Sequence, residues 1–139
     1  MAVKPITKDI SILSQKSVDY IPGLDDHLIA DMLDTANAHK DNCAGLACIQ
    51  IGVPKRIILV RDGDDFKIFC NPTIVKKSAK TYMATEGCLS LDGSREVKRH
   101  NSVMVSWVNP KGKRNVKEFA CWIAEILQHE IDHCNGILI

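Results

Sequence analysis

Apolar positions recur at helical spacing over residues 24–38 (LDDHLIADMLDTANA), where Leu24, Leu28, Met32, Leu33 and Ala36 share one face. Acidic residues fall in what would be the first turn, where the helix dipole favours negative charge, so the spacing predicts an amphipathic helix. Residues 56–61 (RIILVR) and 66–70 (FKIFC) read as strands on either side of the turn-forming Asp62-Gly63-Asp64-Asp65. The β-branched run 102–108 (SVMVSWV) predicts another strand. Asn109-Pro110-Lys111-Gly112 then turns the chain into a partner at 114–120. Residues 121–134 (CWIAEILQHEIDHC) contain neither Gly nor Pro and stop just before Asn135-Gly136, which marks a helix end. Strands followed by a late helix, without β-α-β alternation, predict an α+β fold in which mostly antiparallel sheets pack around the C-terminal helix.

The chain has 139 residues, which on a prior of about one domain per 150 residues implies a single domain over 1–139. A composition of 45% hydrophobic and 25% charged residues excludes disorder and low complexity. The formal charge of +1 provides no overall field toward nucleic acid or an anionic membrane, so neither is expected as a partner. No apolar run approaches the roughly 20 residues that a membrane span requires. The opening MAVKPITKDI carries Pro5 and Asp9 where a signal peptide needs an apolar stretch, and a cytoplasmic location is expected. In that setting the six cysteines are expected as reduced thiols, and the absence of any CxxC pair excludes a zinc ribbon.

The last predicted helix carries His129-Glu130-Ile131-Asp132-His133, an HExxH pattern. Residues four apart share a helix face, so both imidazoles can reach one metal ion, with Glu130 beside them as a proton acceptor. Chance places this pattern in such a composition about 0.006 times. Only six residues follow His133, so a third ligand must be Cys134 or lie upstream. Cys134 is turned about 100° from His133 and would strain the helix in reaching the same ion. Upstream stand Cys43, Cys48, Cys70, Cys88 and Cys121, and also His27, His39 and His100. Cys70 and Cys121 read as small core residues at the ends of apolar elements. Cys88 differs, because Glu86-Gly87-Cys88-Leu89-Ser90 is a polar segment in which Gly87 permits a sharp backbone. A thiolate there would complete a tetrahedral site with one position open to water.

These residues resemble the peptide deformylases, which remove the formyl group from the N-terminal methionine of newly made proteins. Three segments carry the resemblance in order along nearly the whole chain: residues 45–52 (GLACIQIG), 86–90 (EGCLS) and 128–133 (QHEIDH). The resemblance implies that Cys88, His129 and His133 hold the metal, Fe²⁺ in cells, with Zn²⁺, Ni²⁺ or Co²⁺ able to substitute. It implies that Glu130 takes a proton from water and returns one to the departing amine. It also implies that the Gln50 side-chain amide and the Leu89 backbone N–H receive the developing oxyanion. Ala44, Gly45, Glu86 and Gly87 are the implied substrate contacts, and the implied partners are N-formyl-methionyl nascent peptides and the ribosome.

Four departures stand out. Cys43-Ala44-Gly45 replaces the family's usual Gly, bulky apolar residue, Gly, and the sequence ends at Ile139, short of a C-terminal extension common in the family. Cys48 and Cys134 stand where alanine and leucine are usual and read as tolerated core changes. Glu125, one turn before His129, brings a charge toward the metal-facing side. These features also fit an alternative, a deformylase-like paralogue with weak activity or a different N-formyl substrate.

Overall fold

The computed structural model describes residues 2–139. Its elements run α1 (Ile10–Leu13), α2 (Asp26–Ala38), β1 (Gly45–Ala47), β2 (Ile57–Asp62), β3 (Asp65–Lys77), β4 (Thr81–Gly87), β5 (Ser94–His100), β6 (Ser102–Val108), β7 (Arg114–Ala120) and α3 (Cys121–Cys134). Short 3₁₀ turns at Lys40–Asn42 and Cys48–Ile51 flank β1. All strand pairs are antiparallel. One sheet has the order β1-β2-β3-β6-β7, and β4 pairs with β5 in a separate two-stranded ribbon. This is the α+β arrangement the sequence predicts.

The larger sheet is covered on both faces, and β2 shows why its sequence is a continuous apolar run. Ile58 and Val60 point into a core with Leu127, Ile131 and Cys134 of α3, Phe69 and Phe119. Ile57 and Leu59 point the other way, onto Leu28, Ile29, Met32 and Ala36 of α2. Each such fully buried aliphatic side chain contributes about 1.5–3 kcal/mol. Phe69, Trp107 and Phe119 interlock on the α3 side, with ring centroids 4.7–5.8 Å apart.

Four sequence expectations need correction. Leu24 lies before α2 and is exposed, because the helix begins at Asp26 and Ile29 takes a place on the buried face. The strand expected at 66–70 continues to Lys77. Bulges at Cys70/Thr73 and Ile74/Lys76 absorb Pro72, which lacks a backbone donor, and Asn71 sits there at φ 50°. Asn71 is held by bonds between its amide and both backbone groups of Tyr20. Strands β4 and β5 were not anticipated. Cys121 is exposed rather than part of the core, since the chain turns at φ 61° to enter α3 there. Cys48, Cys70 and Cys134 are buried, and all six thiols are free. Among the described residues no helix is long and apolar enough to cross a membrane.

Candidate active site

Helix α3 has two working faces. Ala124, Leu127, Ile131 and Cys134 pack into the core, while Glu125, Gln128, His129 and Asp132 meet the β4–β5 ribbon. Just past the end of β4 the chain delivers Cys88. Its Sγ lies 3.4 Å from His133 Nε2, and the ligand atoms of Cys88, His129 and His133 all lie within 4.8 Å of one another. Metal bonds of about 2.0–2.3 Å at tetrahedral angles hold donor atoms about 3.4–3.8 Å apart. The Cys88–His133 separation matches that range, and one sulfur with two imidazole nitrogens is a donor set suited to a divalent transition metal.

The surrounding charges prepare the thiol. Burial alone opposes ionisation of Cys88, but hydrogen bonds with His129 and His133 outweigh it and bring the thiol down to about 5. Cys43, Cys48, Cys70 and Cys134, by contrast, are pushed by burial up to about 12. His129 is oriented by its other nitrogen, since Nδ1 donates to Glu86 Oε1 at 2.8 Å. Glu86 in turn accepts from Arg99 Nε at 2.9 Å and Nη2 at 2.7 Å, and Arg99 Nη1 donates to Asp132 Oδ2 at 2.6 Å. Burial would raise the Glu86 carboxyl, yet Arg99 and His129 hold it down at about 2.

Glu130 is buried, which raises its pKa, and its Oε1 has no hydrogen-bond partner among the described residues. Its other oxygen lies against Gly45. A Cβ at residue 45 would sit 2.8 Å from Glu130 Oε2, 2.8 Å from Ile126 Cγ2 and 2.9 Å from the Leu59 carbonyl, so only glycine fits. Gln50, in the 3₁₀ turn after β1, accepts from the Ala47 backbone N–H at 2.9 Å. Its Nε2 donates to Ser90 Oγ at 3.1 Å and Cys88 Sγ at 3.4 Å.

A cavity of about 460 Å³ opens onto these groups. Ala44, Gly45, Gln50, Glu86, Gly87, Cys88, Leu89, His129 and Glu130 all line it, with Trp122, Glu125 and Ile126 continuing along α3. His133 sits behind them, fully buried. The structure thus brings every sequence-predicted site residue to one place. Both oxygens of Glu86 are engaged there, by Arg99 and His129. Arg99 escaped sequence reasoning, for nothing distinguishes it between Lys98 and His100. Tyr82 escaped for the same reason; its hydroxyl donates to Glu125 Oε1 at 2.9 Å. Arg95 donates to the Asp92 carbonyl at 3.1 Å.

Known proteins of similar sequence and fold share one family. Residues 3–139 match the family described as polypeptide deformylase. The peptide deformylase of Clostridium beijerinckii is 40% identical over 137 residues, covering 99% of each chain. Among solved structures, the actinonin-bound class I type b peptide deformylase of Acinetobacter baumannii superposes with a TM-score of 0.89 at 29% identity. That match covers 99% of this chain and 96% of the other. The Met-Ala-Ser-bound form of the Acinetobacter enzyme gives 0.87 at 28% identity, over 99% and 97%. The chain belongs to the peptide deformylase family, metal-dependent hydrolases that remove the N-formyl group from nascent peptides.

Proposed function

We propose that residues 1–139 form one catalytic domain in which Cys88, His129 and His133 hold a divalent ion and Glu130 moves the protons. The ion is Fe²⁺, for which Zn²⁺, Ni²⁺ or Co²⁺ can substitute, consistent with a donor set of one thiolate and two imidazoles. When bound, it supplies Lewis acidity and a water activated for attack at neutral pH. The observation that carries the reading is Glu130: a buried carboxyl group that lines the cavity beside the ligand cluster, with one oxygen unpartnered among the described residues.

Glu130 accepts a proton from the attacking water as the water oxygen bonds to the formyl carbon. It then returns that proton to the amine nitrogen as the C–N bond breaks, leaving formate and a free N-terminus. The Gln50 amide and the Leu89 backbone N–H receive the charge that develops on the formyl oxygen, where one such donor typically contributes about 2.7–4 kcal/mol. Ala44, Gly45 and Gly87 line the groove for the peptide, and Glu86 reaches the same groove while orienting His129. The substrates are N-formyl-methionyl nascent peptides, met in the cytoplasm at the ribosome.

The test is Glu130→Ala, with metal content and turnover of a formyl-methionyl peptide measured on one preparation. Metal should stay near one ion per chain, while turnover falls by about 10²–10⁴-fold. Turnover near that of the unsubstituted protein would remove Glu130 from the chemistry.

A further inference from the structure

The cavity continues past the ligand cluster along α3, where its otherwise apolar wall of Trp122 and Ile126 carries one charged residue, Glu125. Glu125 and Ile126 stand three to four residues before His129, about one turn or 5.4 Å back along the helix axis. A formyl carbon at the ligand cluster is three bonds from the Cβ of the residue that bears it, about 3–4 Å. A side chain of that residue directed along the cavity toward Trp122 would run over Ile126 and Glu125, which line it there. Ala44, which also lines the cavity, takes up little of the space. Helical side chains lean toward the N-terminus, which carries the Glu125 carboxylate further along the cavity toward Trp122.

Glu125 is also fixed in place. Tyr82, on β4, donates its hydroxyl to Oε1 at 2.9 Å, so one carboxylate oxygen is tied and the group cannot swing freely into solvent. Burial and the neighbouring Glu125 together push the Tyr82 hydroxyl up to about 12, which keeps it a donor at any ordinary pH. A carboxylate held in a cavity wall favours an N–H donor or a cation opposite it and penalises a second anion.

We propose that Glu125, positioned by Tyr82, determines which first side chain this deformylase accepts. An aliphatic stem rests on Ile126 and Ala44, and the tip of the chain meets the carboxylate. Methionine remains the substrate side chain; among other unbranched side chains, one that ends in a donor is accepted beside it and an acidic one is rejected. The proposal rests on the reading of the site given above.

The experiment compares formyl-Lys-Ala-Ser, formyl-Met-Ala-Ser and formyl-Glu-Ala-Ser on the metal-loaded protein, and measures binding of the three deformylated peptides by calorimetry. Lysine should exceed glutamate in both kcat/KM and affinity. Glu125→Gln preserves shape and removes the charge, and should shrink the lysine-to-glutamate ratio at least about tenfold. Tyr82→Phe should raise KM for the lysine peptide with kcat unchanged, whereas a merely structural loss would affect all three peptides equally. An unchanged ratio in Glu125→Gln overturns the proposal. Binding does not depend on proton transfer, so a correct ranking in calorimetry without turnover would support the proposal while striking the role given to Glu130. Absence of binding by all three peptides would overturn the proposal together with the site.

Discussion

Removing the Arg99 guanidinium separates what holds the fold from what prepares the metal ligands. Arg99 and Glu86 have side chains only 4% and 5% exposed, while Asp132 is 24% exposed and can turn to water. Arg99→Met therefore strands the Glu86 carboxylate in the interior with His129 as its remaining partner. Breaking a buried pair from one side costs about 3–5 kcal/mol, against about 0–1 for an exposed pair. The stranded carboxyl takes up a proton more readily and grips His129 Nδ1 less firmly, a loss of ligand support that typically costs about 10–100-fold in metal affinity. The double variant Arg99→Met with Glu86→Met replaces the pair by apolar side chains, so it should regain most of the stability. It should not regain the affinity, because His129 still lacks its acceptor. Urea unfolding in the presence of a chelator reads stability, and competition of Co²⁺ with a chromophoric chelator reads affinity. A cost below about 1 kcal/mol for Arg99→Met, or a double variant with restored affinity, would refute the reasoning.

Gly45→Ala should lower turnover about 10²–10⁴-fold, with a stability loss of about 1–3 kcal/mol. Of the three atoms its Cβ would strike, the Leu59 carbonyl is fixed in the sheet, and the Glu130 carboxylate must give way; steady-state kinetics beside metal analysis check this. The Glu86 carboxyl is held at about 2 against an ordinary 4.5, so the stability it contributes is fully present above pH 4.5 and lost as pH falls toward 2. Acid unfolding of the protein in chelator should show that slope, and Glu86→Gln should flatten it. Cys88→Ala should lose the ion, and stoichiometric metal in that variant by elemental analysis would remove Cys88 from the ligand set.

Helix α3 was legible to the residue, and so were β6 and β7, because each is a run without Gly or Pro that meets a turn-forming segment at one end at least. The HExxH residues followed from that alone, since helical spacing fixes which side chains share a face. The ribbon β4–β5 was not legible. Thr81–Gly87 (TYMATEG) and Ser94–His100 (SREVKRH) bury only alternate positions, and two of those are Glu86 and Arg99, which read as surface charge. Their burial depends on each other and on Asp132, across 13 and 33 residues of sequence, so no local pattern records it. Pro72 likewise hid the second half of β3, because the bulge that accommodates it is created by the pairing with β6. Leu24 misled through periodicity that runs past the true helix start.

The division of the strands into two sheets has a consequence for how the molecule comes apart. A two-stranded ribbon is marginal by itself. This one is fastened by four side chains on successive turns of α3: Glu125 to Tyr82, Gln128 to both the N–H and the carbonyl of His100, His129 to Glu86, and Asp132 to Arg99. The opposite face of the helix is secured independently, by apolar packing on the five-stranded sheet. The ribbon can therefore lift away as a cooperative unit while the sheet and helix stay folded. Since the ribbon and the residue that follows it carry Glu86, Arg99 and Cys88, that partial opening dismantles the metal site below the free energy of global unfolding. Amide protons of β4 and β5 should exchange ahead of those in β2 and α3, and loss of activity on warming should precede loss of the fold.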